Sequence, residues 1–102
     1  MASEVLVNGE PIKYQLCPNG AMIEGLARYF EYGILPGSFL QALLKNDLRG
    51  TCEQADDRNR HLVFEWVSWL YNYAPTGSWG SEENVARYSA DRRYARSADR
   101  AS

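Results

Sequence analysis

The stretch "LVFEWVSWLYNY", Leu62 to Tyr73, constrains this chain more than any other. Leu62, Val63, Phe64, Trp66, Val67, Trp69, Leu70, Tyr71 and Tyr73 leave almost no polar face if the segment is helical. A helix that is apolar nearly all round belongs in the middle of its domain, wrapped by its neighbours. Only His61, Glu65, Ser68 and Asn72 recur at helical offsets and form one polar stripe along it. Asp56 or Asp57 stands where an N-cap is needed, and Ala74-Pro75 ends the run.

The rest of the chain has to supply that wrapping. With 102 residues the chain is a single domain with one core, and 45% hydrophobic against 24% charged residues fits a folded globular protein. Asn19 can cap a helix carrying Met22, Ile23, Leu26, Ala27 and Phe30 at helical spacing, with Gly33 as terminator and Ile34 as the apolar clasp beyond it. Pro36-Gly37 makes a tight link to a second helix. Its signals are a capping box, Ser38 to Gln41, an apolar stripe of Leu40, Leu43, Leu44 and Leu48, and a stop at Gly50. After the tryptophan-rich third helix, a fourth begins near Ser81, with Glu82 and Glu83 in its first turn, and buries Val85 and Tyr88. Ahead of all four, Val5–Val7 and Ile12–Leu16 flank Asn8-Gly9, the dipeptide suited to a tight hairpin turn, while Pro11 marks an edge or bulge. The expectation is therefore a mainly α protein: a compact four-helix domain with a short N-terminal β-hairpin at about residues 4–16. Residues 1–88 form that domain, and 89–102 form a basic, partly helical or disordered tail in which Ser-Ala-Asp-Arg occurs twice.

Charge is distributed unevenly. Residues 1–85 carry six Lys or Arg against eleven Asp or Glu, a net −5, whereas residues 86–102 carry five Arg against two Asp, a net +3. An acidic body repels phosphate backbones, so the chain as a whole is not built to bind nucleic acid. Its start lacks a basic stretch followed by a long apolar run, and no window approaches a membrane span, which gives the expectation of a cytoplasmic protein with no membrane association. Cys17 and Cys52 are too few for a disulfide framework or a four-thiolate zinc site and read as small buried thiols.

Chemistry is sparse. "APTGSWGSEENV" places Trp79 between two Gly-Ser steps ahead of a helix, which suits either a phosphate cradle or a turn pinned by an aromatic wedge. Glu82 and Glu83 already use the helix dipole, and neither a Walker lysine nor a dinucleotide-binding glycine pattern accompanies the loop, so the turn is preferred. His61 with Asp57 or Glu65 offers at most two ligands on one face, short of a metal site. Cys17 or Cys52 with His61 lacks any nucleophile-elbow context. No catalytic residue, metal or cofactor is expected, and the chain reads as a non-enzyme. Tyr88, Arg92, Arg96 and Arg100 fall four apart with Arg93 nearby, giving a cationic face or simply a solvated helix end. Asn46, Asp47, Arg49, Asn59 and Arg60 make the densest polar cluster outside the tail. Asn46, Asp47, Asn59, Arg60, Trp79, Ser81, Arg92, Arg93 and Arg96 are accordingly the candidate ligand- or partner-binding residues.

Several of these features occur together in a familiar pattern: Pro36-Gly37-Ser38-Phe39-Leu40, Asn46-Asp47-Leu48, Ala55-Asp56, Asn59, Trp69-Leu70-Tyr71-Asn72 and Trp79-Gly80-Ser81. Over about residues 20 to 88 the chain resembles a recurring type of small, mostly uncharacterised helical protein encoded by bacteriophages and prophages. The hairpin and the Arg-rich end depart from that pattern. The resemblance implies a viral accessory protein working in the bacterial host cytoplasm: a non-catalytic binder that inhibits a host defence factor, with a host protein as partner. The first alternative is an oligomeric module that sequesters a nucleotide or cyclic nucleotide with Arg92, Arg93 or Arg96 near Trp79, and the second is a nucleic-acid-binding regulator using the Arg-rich tail.

Overall fold

Gly9 sits at the turn of an antiparallel hairpin in the computed structural model, which describes residues 5–7 and 9–101, with side chains up to Tyr94. Strand β1 (Leu6–Val7) pairs with β2 (Glu10–Pro11) in the register Leu6↔Pro11 and Val7↔Glu10. Gly9 has φ 81°, the left-handed conformation the turn requires. The strands are shorter than expected, because Ile12 drops into the core and Tyr14–Leu16 then coils into a 3₁₀ turn. Trp69 donates its indole N–H to the Lys13 carbonyl (3.3 Å), which ties the hairpin to the helical body.

Among the described residues six α-helices follow, α1 (Ile23–Tyr32), α2 (Ser38–Leu44), α3 (Leu48–Gln54), α4 (Asp57–Arg60), α5 (Val63–Tyr73) and α6 (Glu82–Ala101). The mainly helical fold with an N-terminal hairpin is as expected, but the count of four helices is not. The expected second helix divides at Asn46, whose φ of 60° breaks the helical path, and Asp47 caps a new helix by accepting from the Gly50 N–H (3.0 Å). Gly50 is therefore inside α3 rather than a stop. Nor does Ser38 cap α2: Gly37 occupies that position, and Gln41 donates to the Pro36 carbonyl instead (2.8 Å). The expected third helix divides likewise. Asp56 caps the four-residue α4 through the Asn59 N–H (2.7 Å), and a turn at His61-Leu62 precedes α5.

Leu26, Tyr29 and Phe30 of α1, Leu40, Leu43 and Leu44 of α2, Trp66, Trp69 and Leu70 of α5, and Val85 of α6 make the core. Its aromatic rings meet tilted or edge-on, as in Trp66 against Trp69 (centroids 6.2 Å apart, 84°) and Phe30 against Trp69 (6.3 Å). Buried polar struts link distant segments. Asn59 Oδ1 accepts from both Asn19 Nδ2 (3.1 Å) and Trp66 Nε1 (3.2 Å), and the Tyr29 hydroxyl donates to the Ser78 carbonyl (2.6 Å).

Helix α6 continues past residue 88 and stays bound to α1. The Tyr88 hydroxyl donates to the Phe30 carbonyl, Ser89 to the Gly33 carbonyl, Arg92 to the Glu31 carbonyl and Arg93 to the Gly33 carbonyl. These donors satisfy carbonyls that the end of α1 leaves open. Gly33 permits the approach: its φ is 76°, and a β-carbon there would run into the Ser89 carbonyl oxygen.

Candidate functional site

The expectation that α5 lies wrapped on all sides does not hold. Trp66, Trp69 and Leu70 are buried, yet Phe64 is 81% and Tyr71 80% exposed, with Val67 at 42%. At about 100° per residue, Phe64 and Tyr71 point within roughly 20° of each other, with Val67 on one flank and Ser68, Asn72 and Glu65 on the other. The other described elements enclose only one side of this apolar segment. The outer side is an aromatic face on a rigid, core-anchored helix, rimmed by hydrogen-bonding groups.

Beside this face runs an open groove of about 420 Å³, lined by Leu16, Pro18, Phe64, Glu65, Ser68 and Tyr73 among others. Leu16 is itself half-exposed, so the groove extends the apolar surface across to the 3₁₀ turn. A surface of this composition suits docking: Tyr and Phe provide large contact areas at little rotamer cost, and Glu65, Ser68 and Asn72 supply a polar rim. Asn72 donates to the Ser68 carbonyl (2.8 Å), which holds its amide against the helix.

The residues singled out from sequence are dispersed. Asn46 and Asp47 form the exposed turn between α2 and α3, and Asp47 serves as a cap. Asn59 is buried and bridges Asn19 to Trp66, so its side chain faces the interior. Arg60 is exposed and pairs with Asp57 at 3.6 Å. Trp79 is partly buried against the core, and Ser81 caps α6 by accepting from the Asn84 N–H (3.0 Å). Arg92 and Arg93 grip the end of α1, about 15 Å along α6 from its start near Trp79 at 1.5 Å of rise per residue. The Arg96 side chain lies outside the described residues. No single site gathers those of these residues that the structure describes.

The loop of Gly77 to Ser81 consumes its own polar groups. Ser78 is fully buried with its hydroxyl on the Pro75 carbonyl, the Asn84 amide donates to the Trp79 carbonyl, and the Gly80 N–H donates to the Leu44 carbonyl. That is the bonding of a turn rather than of a phosphate cradle. Among the described residues no group of three His, Cys, Asp or Glu is placed to hold a metal ion. Contrary to expectation neither cysteine is fully buried, Cys52 being exposed on α3 and Cys17 half-buried; the Cys17 thiol donates to the Asn19 carbonyl, and its partial burial pushes its pKa up, away from a reactive thiolate. Burial also raises the phenol pKa values of Tyr14 and Tyr29, and that of Tyr88 to about 12 despite the opposing charge of Arg92. All three stay neutral at physiological pH, and Tyr29 and Tyr88 donate their hydroxyls to main-chain carbonyls.

Phe64, Val67 and Tyr71 were not among the sequence candidates. The signal lay in the polar stripe: Glu65, Ser68 and Asn72 mark the solvent side of the helix, and Phe64 and Tyr71 each adjoin a member of it. No helix among the described residues is long and apolar enough to cross a membrane. No family model, curated protein or solved structure matches the chain.

Proposed function

We propose that this protein is a non-catalytic binding module, a phage accessory protein that inhibits a host defence factor in the bacterial cytoplasm by occupying its surface. The observation that carries the reading is the outward aromatic face of α5. Phe64 and Tyr71 are about four-fifths exposed on a helix whose opposite side is anchored in the core by Trp66 and Trp69. Burying such side chains against a partner supplies interface energy without reorganising the binder. The rest of the molecule supports binding over turnover: the polar groups of the Trp79 loop and the Arg92 and Arg93 guanidinium groups are engaged in holding the fold together. The phage context comes from the resemblance of residues 20 to 88.

The test is affinity capture from a host lysate with the intact chain beside Phe64→Ala and Tyr71→Ala variants. The expected result is one host protein recovered by the intact chain and lost with either variant. Recovery of the same protein by all three chains would refute the assignment of the face, and recovery of background alone by the intact chain would refute the function.

A further inference from the structure

The outer face of α5 is self-complementary, and we infer that a second copy of this chain occupies it when no other partner is bound. The inference rests on this face being an interaction surface, as proposed above, but not on the identity of any host partner. Phe64 and Tyr71 stand equally far from the midpoint between Val67 and Ser68. A two-fold axis crossing α5 at that midpoint, with the two helices antiparallel, therefore lays Phe64 on the partner's Tyr71 and Tyr71 on the partner's Phe64. The same operation sets Val67 against the partner's Val67 on one flank. On the other flank it places Glu65 about 3 Å along the axis from the level of the partner's Asn72, whose amide retains a second N–H after donating to the Ser68 carbonyl. One surface matched to itself by a single rotation is what a two-fold dimer interface requires.

Charges at the two ends of α5 are paired within the chain, Arg60 with Asp57 (3.6 Å) and Glu10 with Lys13 (3.5 Å), so the antiparallel sense rests on the aromatic register and on the opposed helix dipoles. The area is also of the right order. Phe64 and Tyr71 expose ~150 Å² each, and Val67 with Leu16 raises the apolar patch to roughly 450 Å² per protomer. A standard interface takes about 800 Å² per partner including its polar rim, so this patch forms the centre of a modest, reversible dimer.

Sedimentation velocity of the full chain tests this directly. The sedimenting mass is expected to double as concentration rises across about 1 to 500 µM, with Phe64→Ser and Tyr71→Ser each raising the midpoint by ~tenfold or more. Both side chains are largely exposed, so unchanged circular dichroism accompanies the shift. In a Cys52→Ser background, Val67→Cys is expected to form a disulfide-linked dimer faster than Leu48→Cys, which is more solvent-facing but lies on α3. A monomer throughout the range would overturn the inference and leave the face to a different protein. A dimer indifferent to Phe64, Tyr71 and Val67 would overturn it too. Neither result alters the outcome of lysate capture, so failure here and failure of the proposed function remain distinguishable.

Discussion

Replacing Asn59 by alanine should destabilise the fold far more than its place in a polar cluster suggests. Asn59 is 1% exposed, and its single carbonyl oxygen receives both the Trp66 indole N–H and the Asn19 amide. Neither donor can turn to water. Trp66 is wholly buried, and Asn19, 3% exposed, is also held by the Ala21 N–H on its own oxygen. Leaving a buried donor unsatisfied costs about 1–3 kcal/mol, so two orphaned donors place Asn59→Ala at roughly 3 kcal/mol or more. That is a large part of the ~5–15 kcal/mol holding a domain of this size together. Urea unfolding followed by tryptophan fluorescence should show the midpoint falling by ~1–3 M at the usual slope for small domains. A double-mutant cycle adds the stricter test. Asn19→Ala removes one of the two donors, so Asn19→Ala with Asn59→Ala should cost less than the separate losses combined, by ~0.5 kcal/mol or more. A loss below ~1 kcal/mol for Asn59→Ala, or strict additivity with Asn19→Ala, would refute the strut and return Asn59 to the list of surface candidates.

Gly33→Ala should lower the melting temperature strongly: left-handed backbone costs a residue with a β-carbon ~1–2 kcal/mol before the collision with the Ser89 carbonyl is added, and differential scanning calorimetry will read it. Ser81→Ala removes the cap of α6 and should cost ~1 kcal/mol in thermal unfolding without altering any response to phosphate, because the hydroxyl holds the Asn84 N–H. Phe64→Ala and Tyr71→Ala should leave stability within about 0.5 kcal/mol in urea unfolding while abolishing partner capture, since neither side chain contributes to the core. Alkaline titration should unfold the protein. Tyr14, Tyr29 and Tyr88 have folded pKa values above the ordinary 10.0, so their contribution is complete below that pH and is lost as pH rises through the folded values, that of Tyr88 being about 12. Tyrosinate absorbance and circular dichroism should change together, whereas buried tyrosines titrating in a still-folded chain would contradict the assignment.

Much of the architecture could be read from local signals. Gly33 terminates α1 where an apolar stripe meets a glycine, Asp56 caps α4, and Asn8-Gly9 predicts the hairpin, because turn and cap chemistry is decided by residues a few positions apart. The division of the second helix was legible only in part. Asn46-Asp47 carries both a residue tolerant of left-handed backbone and a capping carboxylate, but an unbroken Leu40 to Leu48 stripe argued equally well for continuity. Asn59 resisted assignment for a different reason: a polar residue at a helix end reads the same whether it faces water or a tryptophan indole packed seven positions on.

Sequence by itself determined that the segment from Leu62 to Tyr73 would anchor the molecule, since that much apolar surface has to leave water somewhere. Which side of it would be covered was a tertiary decision. Periodicity reports how apolar a helix is, whereas coverage depends on how much surface the neighbouring elements can present, and here α1, α2 and α6 meet Trp66, Trp69 and Leu70 while Phe64 and Tyr71 face out. The Arg-rich end shows the same division. Its charge is evident in the residues, but that Arg92 and Arg93 serve the open carbonyls of α1 follows only from the packing of α6 against Gly33.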